Sequence, residues 1–141
     1  MEATELERLR KVPLFSELDD DGLMQVGAVT TEAEVSEGHV LIERGHAGAG
    51  LFILVEGTIE VELPDGDTRQ IGPGEFFGEL ALLGSDVRTA RVQATTDARL
   101  MAISRADFAS LLETQPKIAV GMLSLLARRL AAEDSIHEPD L

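Results

Sequence analysis

Between Thr30 and Ser104 the apolar residues follow a period of two rather than the 3.6 of a helix. VLIER, LFILVEG, TIEVEL, TRQI, TARVQA and RLMAI each run for the length of a strand, and Gly, Pro and Asp punctuate the gaps between them. Pro64-Asp65-Gly66-Asp67 reads as a hairpin turn joining TIEVEL to TRQI. Many short strands with glycine turns cannot bury their apolar faces singly, so they imply a closed or two-sheet β structure.

Helical spacing brackets this region. Residues 3–12 carry Leu6, Leu9 and Val12 at helical intervals, with glutamates early and Arg8, Arg10 and Lys11 late, as the helix dipole favours. Pro13 is expected to end that helix. Asp19 reads as the N-cap of a second helix with Leu23, Val26 and Val29 on one face. After Ser104 a helix is expected over Ala106 to Leu112, with Ser104 or Asp107 near its start. Pro116 then opens a longer helix reaching about Glu133. The 141 residues are expected to form one domain: N-terminal helices over 1–29, a β region over 30–104, C-terminal helices over 105–134 and a tail over 135–141.

Composition removes several function classes. A formal net charge of −14 opposes binding to nucleic acid, which depends on Lys and Arg neutralising phosphates. The chain has no cysteine, so it has neither disulfides nor a catalytic thiol. His39, His46 and His137 lack the spacing of a metal site, and no G-x-S-x-G context exists for a nucleophilic serine. The expectation is a non-enzyme that holds no metal. With no apolar run of membrane-spanning length and no signal-peptide core, a cytoplasmic location and no membrane partner are the default.

Chemistry concentrates in Phe77 to Ala94, FGELALLGSDVRTARVQA. Gly78 removes a side chain where a ligand would approach backbone. Glu79 to Leu83 can form one short helical turn whose free N–H groups face an anion. Glu79 and Arg88 supply a carboxylate acceptor and a planar cationic fork suited to phosphate oxygens. Taken together these residues suit a molecule with hydroxyls beside a phosphate. Taken singly, Glu79 and Arg88 also suit an ordinary ion pair, and Leu80 to Leu83 a plain core.

The stretch resembles the phosphate-binding cassette of the cyclic nucleotide-binding domain family, which includes the bacterial catabolite activator, the regulatory subunits of cyclic AMP-dependent protein kinase and the cyclic nucleotide-gated channels. That cassette reads F-G-E, a short apolar helix, then R-[ST]-A and an apolar strand. Phe77, Gly78, Glu79, Ala81, Leu82, Arg88, Thr89, Ala90, Val92 and Ala94 match it without gaps. Arg91 departs, at a position whose side chain need not face a ligand. Gly45, Gly48, Phe52 and Gly57 resemble a second family signature, from which His46 and Ala49 depart. Leu9 to Leu23, with Pro-Leu-Phe in its middle, resembles the helices that precede the family's β-roll.

The resemblance implies an α+β fold: an eight-stranded antiparallel, jelly-roll-like β-roll with N-terminal helices, a short phosphate-binding helix and a C-terminal helix. It implies a ligand site of Phe77, Gly78, Glu79, Leu80, Ala81, Arg88, Thr89 and Ala90, with Glu79 on the ribose 2′-hydroxyl and Arg88 on the cyclic phosphate. The ligand would be cyclic AMP first and cyclic GMP second, with no further cofactor. Occupancy would be relayed through the C-terminal helix to a protein effector that the sequence does not identify.

The last helix carries two apolar seams, Ala119–Leu123–Leu126–Leu130 and Ile118–Met122–Leu125. With P-x-I and A-R-R-L between Pro116 and Leu130, it resembles the catabolite activator's dimerisation helix and implies a homodimer. Glu133 and Asp134 stand where that helix has hydroxyl residues beside the adenine, and are expected to be solvated bystanders. The chain ends in D-S-I-H-E-P-D-L, so no DNA-reading helix is expected here. The alternative is a β-roll that kept the fold, lost the nucleotide and serves as a protein-interaction or dimerisation module.

Overall fold

The computed structural model describes residues 3–43, 50–78 and 90–134. In chain order these form helix α1 (Ala3–Arg10), a 3₁₀ turn (Pro13–Phe15), α2 (Asp20–Val29), and strands β1 (Thr30–Val35), β2 (Val40–Ile42), β3 (Gly50–Glu56), β4 (Ile59–Glu62) and β5 (Thr68–Ile71). Strands β6 (Phe76–Phe77), β7 (Arg91–Ala94) and β8 (Ala98–Ser104) follow, then helices α3 (Arg105–Thr114) and α4 (Pro116–Asp134). The strands lie in two antiparallel four-stranded sheets, ordered β1-β8-β3-β6 and β2-β7-β4-β5. The α+β β-roll expected from the sequence is the observed fold.

Two apolar clusters explain why the strands read as they do. Leu54, Ile59, Val61, Ile71, Phe77, Val92 and Leu100 pack together between the sheets. Leu51, Ile53, Phe76, Met101 and Ile103 join Leu14, Phe15, Leu23, Phe108, Ile118 and Met122 in a second cluster between the first sheet and the helices. The middle of the first sheet is thus covered on both faces, and β3 and β8 are apolar almost throughout. The second sheet has one face in the interior, so β4 and β7 alternate strictly.

Local signals placed most element ends. Asp19 accepts from the Gly22 amide at 2.8 Å and caps α2. Ser104 accepts from the Asp107 amide at 3.2 Å and caps α3, which runs longer than the expected Ala106–Leu112. In the β4–β5 turn the Leu63 amide donates to the Asp67 carbonyl at 2.8 Å, and Gly66 takes φ of +93°. α1 stops at Arg10, short of residue 12, and Pro13 begins the 3₁₀ turn rather than closing the helix directly. The two seams of the last helix are buried to different extents. Ile118 and Met122 are buried, Leu125 and Leu126 pack partly against the core, and Leu123 and Leu130 remain 69% and 58% exposed.

Candidate functional site

The two ends of the cassette belong to different sheets. β6 enters it and pairs with β3, placing Phe77 opposite Phe52 with the rings stacked at 5.3 Å between centroids. Gly78 follows with φ of +91°, a backbone conformation that a side chain would strain. Ala90 packs against the inter-sheet cluster, and β7 carries the chain back as a neighbour of β2 and β4. Phe77, Gly78 and Ala90 therefore sit where the chain leaves one sheet and rejoins the other. Glu79, Leu80, Ala81, Arg88 and Thr89, with the short phosphate-binding helix, lie outside the described residues, as do Gly45, His46, Gly48 and Ala49. Arg91 makes an ion pair with Glu43 at 3.4 Å and donates to Gln93 at 2.9 Å. It stands one position from the buried Val92, on the sheet's other face.

Beside the entry strand lies a cleft of about 980 Å³ between the β4–β5 hairpin and the last turns of α4. That volume is at the upper end of small-molecule sites, about 300–1,000 Å³. Its walls include Arg69 and Gln70 from β5, Glu75 and Phe76 at the cassette's entrance, and Arg128 and Arg129 from α4. Asp65 and Asp67 line it as well, so with Glu75 three carboxylates balance the three guanidinium groups, and the cleft is close to neutral in a chain of net charge −14.

Arg69 is the residue that periodicity passes over. Val61 is directly opposite Arg69 on one side and Val92 on the other, so all three side chains share a face of the second sheet. Val61 and Val92 are buried on that face, as is Ile71 two residues on from Arg69. The face is the roll's interior, and Arg69 is the basic member of an otherwise apolar row. The alternation of T-R-Q-I carried this signal, since Arg69 must share a face with Ile71. A charged residue in a short strand beside a turn reads instead as solvent-facing. Arg128 and Arg129 enter the sequence reading only within the A-R-R-L resemblance to a dimerisation helix, because in the sequence they are simply the polar part of a helix.

On α4, Arg129 is tied to the cassette's entrance. Its Nη2 donates to the Phe76 carbonyl at 2.9 Å, and its guanidinium carbon lies 4.8 Å from the centroid of the Phe76 ring. Among the described residues no group of three or more His, Asp or Glu side chains could hold a metal ion, and no helix is long and apolar enough to cross a membrane.

The cyclic nucleotide-binding domain family matches residues 32–115. A cyclic nucleotide-gated potassium channel of Rhizobium etli is 36% identical over 77% of this chain, which spans 30% of the channel. A cGMP-dependent protein kinase of Drosophila melanogaster is 31% identical over 78% of this chain and 13% of the kinase. The chain therefore spans less than a third of either relative. In structure it is similar to the Thermus thermophilus catabolite activator protein, with a TM-score of 0.76 at 30% identity over 86% of this chain and 60% of the activator. The match spans most of the β-roll, both described ends of the cassette and the helix that follows it. The chain belongs to the cyclic nucleotide-binding domain family, a regulatory and non-catalytic kind of domain.

Proposed function

We propose that this chain is a sensor domain that binds a purine cyclic nucleotide in the cassette of residues 77–94 and passes its occupancy to α4. Arg88 and the N–H groups opening the short helix take the phosphate, and Glu79 accepts from the ribose 2′-hydroxyl. The observation that carries this reading is the pair of described cassette ends. Phe77-Gly78 leaves one sheet and Ala90-Arg91 rejoins the other, and the cleft lies beside the strand that leaves.

Arg69 bears on the choice of base. From β7, where the cassette ends, to β5 is two strand spacings, about 10 Å, along the row Val92–Val61–Arg69. A nucleotide with its phosphate in the cassette and its base in the cleft brings the purine's far edge to Arg69. Guanine presents O6 and N7, an acceptor pair that an arginine fork fits, whereas adenine puts an amino donor in place of O6. Cyclic GMP is favoured over the cyclic AMP expected from the sequence. The similarity to a cGMP-dependent protein kinase agrees with this choice, and that to a cAMP-dependent protein kinase regulatory subunit, 36% identical over 70% of this chain, keeps cyclic AMP as the second ligand.

Titration calorimetry with both nucleotides tests the proposal. A ligand of about 22 heavy atoms at about 0.3 kcal/mol per atom corresponds to a Kd on the order of 10 μM. No heat with either nucleotide would favour the interaction-module alternative.

A further inference from the structure

We infer that Arg129 is a positioning residue that holds the C-terminal half of α4 closed over the cleft before any ligand arrives. Among the described residues β6 is the last strand of its sheet. Its neighbour β3 uses the Glu75 carbonyl, which accepts from the Leu54 amide at 3.0 Å, and returns the Leu54 carbonyl to the Gly74 amide at 2.7 Å. Backbone groups alternate direction along a strand, so the next carbonyl, that of Phe76, points away from β3 toward the uncovered edge. Phe76 is 2% exposed, and a carbonyl at such a place requires a partner. Arg129 supplies it from the helix, with the same guanidinium set against the Phe76 ring.

The helix thus takes the place of a missing strand at one point. That point is one residue from Phe77, where the cassette begins. Arg128 and Ala132, neighbours of Arg129 on α4, line the cleft. Fastening Arg129 therefore sets the height of the wall they form. Earlier in the helix, Ile118 and Met122 already fix it to the core. Beyond Leu126 apolar anchoring ends, since Leu130 is exposed, and the guanidinium takes over.

A wall held in place in the free chain is preorganised. If the latch is cut, only a fraction of molecules keep the cleft formed, and apparent affinity falls by that fraction. The inference rests on the nucleotide-binding reading for its second half alone, so two measurements separate the two. First, amide hydrogen exchange of the ligand-free chain: Arg129→Met is expected to speed exchange in residues 126–134 while residues 116–122 stay protected. Second, exchange and affinity with cyclic GMP: the variant is expected to regain protection in 126–134 on binding, with affinity lower by about tenfold. Thermal unfolding measured alongside separates this from a general loss of stability, which would raise exchange in 116–122 as well. Arg129→Lys, which keeps the charge but cannot span ring and carbonyl together, is expected to fall between wild type and Arg129→Met.

Unchanged free-state exchange in 126–134 would overturn the latch. Faster exchange with unchanged affinity would overturn its role in forming the cleft. If wild type binds neither cyclic GMP nor cyclic AMP, the proposed function fails, and the latch is judged on the free-state exchange alone.

Discussion

At the scale of single residues the arginines carry the argument. Arg88→Ala is expected to abolish measurable nucleotide binding in calorimetry with the fold intact, because losing a charge-assisted pair to phosphate costs about 1.5–3 kcal/mol and strands the ligand's charge. Glu79→Gln should weaken binding less, since an amide oxygen still accepts. Arg69→Ser is expected to lower cyclic GMP affinity by about 1–3 kcal/mol and cyclic AMP affinity less, read as the ratio of the two dissociation constants. Glu133→Ala with Asp134→Ala should move that ratio by no more than about tenfold, or 1.4 kcal/mol. Sequence resemblance proposes Arg88 through the residues around it, Gly-Glu before and Thr-Ala after. It gave no notice of Arg69, whose meaning depends on which strands flank β5.

Elements were legible where a local signal marks them. Asp19, Ser104 and the turn at Asp65-Gly66 fix their positions by hydrogen bonds within a few residues, and each is where the sequence puts it. β1 and β6 were not legible as alternating segments. β1 pairs along one edge with β8 and is exposed over most of its length, so no apolar period develops. β6 has two residues, too few for any period, and exists because Phe76 and Phe77 fit beside β3. The last helix offers a direct contrast between its seams. Met122→Ala should destabilise the chain by about 2–5 kcal/mol in chemical denaturation, by emptying space in the core. Leu123→Ala should change stability by no more than about 0.5 kcal/mol, because that side chain faces outward.

Across the whole molecule the outward seam becomes a question of assembly. Val120, Leu123 and Leu130 are exposed along α4, and a second copy presenting the same seam would cover them. Sedimentation is expected to show a dimer at high micromolar concentration, and Leu123→Glu with Leu130→Glu should return it to monomer. A wild-type monomer under those conditions, with and without nucleotide, would remove the homodimer. The roll's two-core plan has a mechanical consequence as well. Phe76 and Phe77 are adjacent, yet Phe76 is embedded between sheet and helices and Phe77 between the two sheets. The pair acts like a bolt with a nut on each side: rotating β6 about its axis would draw one ring out of each core. Gly78, next in line with its positive φ, is the first joint past the bolt. Any displacement of Phe76 and Phe77 would therefore open both cores at once.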